Sequence, residues 1–408
     1  MTAQSSVALE GNTRTRYTEV MENLLVNSFL FGVVIFLTTF AWPRVGVALM
    51  VALLPVYLIR FSLAGIPFTF LEVGIWAVVL GWMVRRFRDH GVPLLTRKSL
   101  AFSDRNPFQP YLFPIFLWLV VATVATIYSP DAEAALGQWK AYFIEPLMLF
   151  SVVVVVFWHR QERRWLLGAL GLSVIGVALG SLAQQLGYLP IPEPFASDVP
   201  RRLTSFYEYP NAVGLYVAPI VGLFIGWLYY DLEHRTNTPT VFGKMVVIAF
   251  GAIAIGLSVV KGAVLGLAAA LLVGVVLFTG WRRVSFGVLT ALLFALALSF
   301  PMVRGAVADQ ASLTSPSGQM RVAIWQETID YLGDHPIMGT GLAGYQTAIE
   351  PYHVAWRPEL TPYMIETFLY PHNVFLNVWT ELGLAGLVVF VWLLVVFFRL
   401  AWRQRRMP

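Results

Sequence analysis

Long apolar runs, each near the length that crosses a bilayer, alternate along this chain with short segments that carry nearly all of its charge. Crossing the hydrocarbon core as a helix takes roughly 20 residues, with a range of ~17–25, and about eleven runs, 10–12 by stricter or looser reading, approach that length. They are Leu24 to Trp42, Val45 to Ile59, Phe68 to Val84, Tyr111 to Tyr128, Tyr142 to Trp158, Trp165 to Leu182, Ala212 to Tyr230, Met245 to Val260, Ala263 to Thr279, Val284 to Phe300 and Val374 to Phe398. The runs are continuously apolar and do not alternate with period two, which argues for helices and against barrel strands. The pattern therefore predicts an all-α fold, a polytopic transmembrane helical bundle. A polar segment covers 1–23, transmembrane helices with short loops 24–300, a long extracytoplasmic loop 301–371, and a final helix with a basic tail 372–408.

Composition agrees with the pattern. Over 408 residues the chain is 58% hydrophobic and only 12% charged, with a mean hydropathy of +0.69, outside the range of soluble globular proteins. Met1 to Met21 is polar and lacks the basic, apolar and small-residue sequence of a cleavable signal peptide, so the first span is expected to serve as its own insertion signal. There is no cysteine, which removes disulfides and thiolate metal sites. The net charge of +5 does not point to nucleic acid, because the basic residues sit in short loops beside spans, where they orient the chain.

That placement assigns the sides of the membrane. Arg85, Arg86, Arg88, Arg97, Lys98 and Arg105 mark one cytoplasmic loop, Arg160, Arg163 and Arg164 a second, Arg282 and Arg283 a third, and Arg399, Arg403, Arg405 and Arg406 the tail. The loop from Ala183 to Asn211, the turn at Lys261-Gly262 and the stretch Pro301 to Pro371 then lie outside. The second run is short and ends at Arg60, as a re-entrant segment or a broken hairpin would.

The outer stretch is too long for an ordinary connection and is expected to hold an amphipathic helix. Ser317 would be its N-cap, Val322, Trp325, Ile329 and Leu332 its apolar face, and Gly333 with Pro336 its stop. Gly339-Thr340-Gly341-Leu342-Ala343-Gly344 reads literally as GxGxxG. A dinucleotide site would need a strand before it and a helix after it in a βαβ unit, and neither is expected. The glycines are better read as a tight turn that brings backbone close to its neighbour. Tyr352, Trp356, Tyr363, Phe368 and Tyr370 follow as an aromatic approach to the membrane.

Four basic or titratable groups fall on the outer face. Arg202 suits a phosphate oxygen as a planar, two-pronged donor, with a headgroup-snorkelling arginine as the alternative. Lys261 interrupts a long apolar stretch in Ser258-Val259-Val260-Lys261-Gly262, where ionisable groups are costly and tend to be functional; a lysine that merely fixes the turn is the alternative. Arg321 stands one turn before Trp325. His372 titrates near neutral pH and suits proton abstraction from a hydroxyl, and Asn373 follows it as a supporting polar residue. No clustered carboxylate or histidine spacing suggests a metal, and no cofactor is implied.

His372-Asn373, a nine-residue spacer, then Gly383 and Gly386 form one linked signature. With Arg202-Leu203-Thr204-Ser205-Phe206 to Pro210-Asn211, the Ser258 to Gly262 turn, and the segment from Arg321 and Trp325 through His335-Pro336 to Gly339-Thr340-Gly341, it resembles the bacterial O-antigen ligase and O-antigen polymerase superfamily over Arg202 to Phe398. Lys261 departs from the arginine usual in the family, keeping the charge and losing the planar fork.

The resemblance implies a metal-independent, inverting glycosyltransferase of the cytoplasmic (inner) membrane, with its active site on the extracytoplasmic face. Its donor would be a glycan on undecaprenyl diphosphate, and its acceptor a hydroxyl on lipid A core, another lipid-linked glycan or a protein. On that pattern His372 is the general base, and Arg202, Lys261 and Arg321 hold the diphosphate. The competing class is a membrane transporter or lipid-linked glycan flippase. Such proteins usually show internal repeats and polar or broken mid-membrane helices, and neither is evident here.

Overall fold

The computed structural model describes residues 23–63, 66–91, 108–159, 161–233, 238–277, 280, 284–285, 287–288, 290–292, 316–353 and 370–404. They are almost wholly helical, as the apolar pattern predicted, because inside a bilayer only a helix satisfies its own backbone along its length.

Seven of the described helices are long and apolar enough to cross a membrane. They are α1 (Asn23–Ala41), α4 (Gln109–Ile127), the continuous run Ala132–Val156, α7 (Arg163–Gln185), α8 (Pro210–Glu233), α9 (Thr238–Ser258) and α13 (Val374–Gln404). The run from Ala132 to Val156 comprises α5 (Ala132–Trp139), a π-helical turn (Lys140–Ile144) and α6 (Glu145–Val156). It therefore starts ten residues before the Tyr142 expected from hydropathy, with Asp131 as an N-cap accepting from the Ala134 N–H.

Among the other expected spans, Val45 to Ile59 becomes the short helix α2 (Pro43–Ala52) and a 3₁₀ turn (Leu54–Leu58), as its length foreshadowed. The chain then makes an unexpected small hairpin, β1 (Arg60–Leu63) paired antiparallel with β2 (Ile66–Thr69), before α3 (Phe70–His90). In α3, Thr69 caps the first turn by accepting from the Glu72 N–H. The helix α10 (Lys261–Leu277) is apolar but short. Most of Val284 to Phe300, the amino-terminal segment and much of Pro301 to Pro371 lie outside the described residues.

The chain divides into two compact units, one formed by Met1–Leu94 with Met148–Leu271 and the other by Leu95–Leu147 with Leu272–Pro408. In the first, Val174, Val177 and Ala178 of α7 pack against Val213, Val217 and Val221 of α8 and Ala254 and Ile255 of α9. Gly251 lets α9 approach Val221 and Val174 with no room for a Cβ, the close small-residue contact on which helix association in lipid relies. In the second, Ala122 and Ala125 of α4 meet Val378 and Leu382 of α13 around Phe143 and Leu342. Large exposed apolar side chains such as Phe116, Leu172, Leu215 and Val388 suit hydrocarbon surroundings.

The outer segment holds α11 (Pro316–Asp334) and α12 (Tyr345–His353). Two details correct the expectation. Ser317 lies within α11 instead of capping it, and the helix runs to Asp334, past Gly333. The buried face is Ala323, Ile324, Glu327, Thr328, Tyr331 and Leu332, while Val322 and Ile329 are exposed. The helix is thus rotated by about one residue from the face drawn through its apolar positions. Burial of Glu327 and Thr328 explains why counting apolar residues misplaced it: the Thr328 hydroxyl bonds the Ile324 carbonyl and the Tyr345 hydroxyl, so a polar position was paired and became core.

Candidate functional site

Arg202 stands in the loop between α7 and α8, and that loop is held by Gln184, a residue the sequence reading missed. Its Oε1 accepts from the Thr204 and Ser205 N–H groups at 2.9 and 2.8 Å, and its Nε2 donates to the Pro190 carbonyl at 2.9 Å and the Thr204 hydroxyl at 3.1 Å. Ser205 takes a left-handed backbone with φ 56° and donates its hydroxyl to the Val177 carbonyl. From this scaffold the Arg202 guanidinium donates to Asn211 Oδ1 at 3.2 Å and lies 5.8 Å from the Phe195 ring centroid. Its buried Nε has no hydrogen-bond partner, an expensive condition for a charged donor unless a ligand supplies the acceptor.

The Lys261 turn lies in the same unit, and the Leu203 N–H joins the two by donating to the Leu257 carbonyl near the end of α9. Val259 takes φ 52° to make the turn. Lys261 is itself the first residue of α10 and is exposed. A cation at the positive end of a helix dipole is unfavourable by itself, yet the two together form a strong attraction for an anion. Ser258, fully buried beside the turn, has a hydroxyl oxygen without a hydrogen-bond partner.

Arg321 and His372 are brought together in the second unit. The Trp325 indole on α11 donates to the Pro371 carbonyl at 2.9 Å, tying that helix to the start of α13. His372 has φ 51°, and its ring meets Tyr370 edge-on at 4.5 Å between centroids. The non-glycine residues with positive φ among those described are Ser205, Val259, Ala343 and His372. All four lie in the loops that carry the expected residues or the glycine turn, and strain of this kind clusters at functional sites. Partial loss of hydration, and secondarily the charge of Arg321, pull the His372 imidazole below its ordinary value of 6.5. At neutral pH it is therefore a neutral base.

Asn373 is the N-cap of α13. Its Oδ1 accepts from the Phe375 and Leu376 N–H groups at 3.0 and 3.4 Å. Nine residues on, Gly383 breaks the helix with φ 69° and ψ −176°. The Gly339-Thr340-Gly341 turn fits this break. The Leu384 N–H donates to the Ile337 carbonyl at 2.9 Å, the Thr340 N–H to the Thr380 carbonyl at 2.5 Å, and the Leu342 N–H to the Ala125 carbonyl at 3.3 Å. A Cβ at Gly339 would run into the Thr380 carbonyl, and one at Gly383 into that of Ile337.

The GxGxxG string is thus a close-approach turn, as expected, and its spacing to the histidine is mechanical. Within the first nine residues of α13, Trp379 donates to the Pro336 carbonyl in the segment that follows α11, at 2.7 Å. Asn377 and Glu381, not among the expected site residues, hydrogen-bond along the same helix. Glu381 accepts from the Ala343 backbone, and the four-residue step from Asn373 to Asn377 to Glu381 was the signal available for them. Among the described residues no group of three or more histidines or carboxylates gathers as a metal-ligand set.

No curated protein and no solved structure matches the chain. Residues 246–391, which include Lys261, Arg321 and His372, match the family model described as O-antigen ligase. With its apolar helices, that match supports a multi-pass membrane protein that is similar over those residues to the O-antigen ligase family, a family of ligase- or glycosyltransferase-type enzymes.

Proposed function

We propose that the protein transfers a glycan from an undecaprenyl-diphosphate carrier to an acceptor hydroxyl, on the extracytoplasmic face of the cytoplasmic membrane. His372 takes the proton of the acceptor hydroxyl as its oxygen attacks the anomeric carbon. The bond from that carbon to the diphosphate breaks, the lipid diphosphate leaves with the electron pair, and the configuration inverts. Arg202, Lys261 and Arg321 bind the diphosphate and stabilise the charge that grows on it. The acceptor is a hydroxyl on lipid A core, another lipid-linked glycan or a protein.

The observation that carries this reading is the placement of His372, in a turn with φ 51° that the Trp325 indole ties to α11, where the Arg321 charge draws its pKa down. A base kept unprotonated next to a phosphate-binding cation is what hydroxyl activation against a diphosphate leaving group needs. Support for the rest comes from the family match, the unsatisfied Arg202 Nε and the helix start at Lys261. The test is glycan transfer in proteoliposomes with a lipid-diphosphate-linked donor. Wild type forms product, and His372→Ala, verified as inserted, forms it about 10²–10⁴-fold more slowly. Transfer by that variant at the wild-type rate removes His372 from the mechanism.

A further inference from the structure

A cavity of about 530 Å³ opens in the first unit among Trp42, Arg44, Trp82, Arg85, Arg86 and Trp165. It belongs to the arginine-rich end of α1, α2, α3 and α7, the side that the loop charges assign to the cytoplasm. No part of the transfer mechanism uses it. Its walls mix three indoles with three guanidiniums, the composition of a membrane interface gathered into a concave site.

The charges there are unequal. Arg44 pairs with Glu162. Arg85 donates to Asp89 at 2.5 Å and also to the Phe40 and Ala41 carbonyls at 3.0 and 2.8 Å, closing the end of α1. Arg88 donates to the same Asp89 at 2.9 Å. Arg86 has no acidic partner among the described residues and lies 6.0 Å from the Trp82 ring centroid. The three lining guanidiniums, Arg44, Arg85 and Arg86, are met by Glu162 and Asp89 and so leave an excess of positive charge beside a cavity large enough for a headgroup.

We propose that this cavity binds the phosphodiester headgroup of an anionic phospholipid of the inner leaflet. Arg86 and Arg44 donate to the phosphate oxygens, and Trp42, Trp82 and Trp165 pack against the glycerol and upper acyl chains. Arginine meets phosphate with two parallel donors, and a basic pocket between membrane helices on the cytoplasmic side is the geometry that holds such headgroups. The three indoles beside the guanidiniums favour a lipid over a soluble phosphate.

The experiment uses the full chain in detergent, with native mass spectrometry after addition of phosphatidylglycerol or phosphatidylethanolamine of identical acyl chains. Wild type retains phosphatidylglycerol at least fivefold better, and Arg44→Gln/Arg86→Gln abolishes that preference. Arg403→Gln, a basic residue at the end of α13, keeps it. No preference in the wild type, or an equal preference in the double variant, overturns the proposal. A parallel melting series distinguishes the source of the phosphate: phosphatidylglycerol stabilises wild type and inorganic phosphate at the same concentration does not. Stabilisation by phosphate alone, equal in size, overturns the lipid assignment.

Discussion

The loop that carries Arg202 and the turn that carries His372 are both strained, both expected from sequence, and held by opposite means. Around Arg202 one buried side chain, Gln184, gathers the loop with three hydrogen bonds to backbone and one to the Thr204 hydroxyl. Below His372 the 337–342 turn enters the break at Gly383 through backbone bonds, and the Trp325 and Trp379 indoles donate to the Pro371 and Pro336 carbonyls at the ends of the two helices. An arginine that binds an oxyanion tolerates small displacements because charge attraction falls off slowly with distance. A base must sit within hydrogen-bond reach of its proton. The difference teaches that one fold positions a charge through a single buried side chain and a base through contacts between two segments.

Perturbations separate the two regions. The largest effect is at the base itself: His372→Ala is expected to cut the transfer rate about 10²–10⁴-fold while donor binding, measured separately, stays near wild type. Gln184→Leu strands the Thr204 and Ser205 N–H groups in a buried setting at about 1–3 kcal/mol each. It should lower the melting temperature and raise the KM for donor, yet leave the acid limb of the pH profile in place. A shifted acid limb in Gln184→Leu would break the comparison.

Gly383→Ala tests the mount. A side chain at φ 69° that also meets the Ile337 carbonyl costs of order 1–3 kcal/mol, and here kcat should fall more than KM rises. Arg321→Gln sharpens the electrostatics. The His372 pKa is lowered, so the neutral base is present at neutral pH and activity fades as pH falls through that value. Protonating the imidazole opposes the fold, so stability also declines as pH drops below the ordinary 6.5. Removing the Arg321 charge moves the acid limb of kcat/KM upward, toward 6.5, and an unmoved or downward limb would refute the pairing. The smallest effect belongs to Lys261→Arg, which keeps charge at the start of α10 and should change donor affinity by less than about tenfold.

Much of this was legible in advance. Continuous apolar runs announced helices, and the six expected spans from Leu24, Tyr111, Trp165, Ala212, Met245 and Val374 have their counterparts in α1, α4, α7, α8, α9 and α13. The glycine turn at Gly339 to Gly341 was read for its close approach, which its neighbours bear out. Gln184 was invisible because nothing local distinguishes a glutamine near a helix end from a solvated one; its role exists only once the 190–205 loop folds over it. The face of α11 was misdrawn because Glu327 and Thr328 are polar by type and buried by environment.

Sequence alone therefore settled the helical, membrane-spanning class, since a bilayer accepts long apolar runs in essentially one backbone form. It also settled which residue types stand ready for chemistry, since imidazole and guanidinium carry their protons and charges wherever they are placed. Only the tertiary structure decided that Gly383 breaks α13 and that a turn from a distant segment fills the break. It alone also decided that His372 lies where partial loss of hydration and the Arg321 charge draw its pKa below 6.5. Those outcomes depend on which backbone groups and charges meet across dozens of residues, and the chain order of one sequence does not contain those distances.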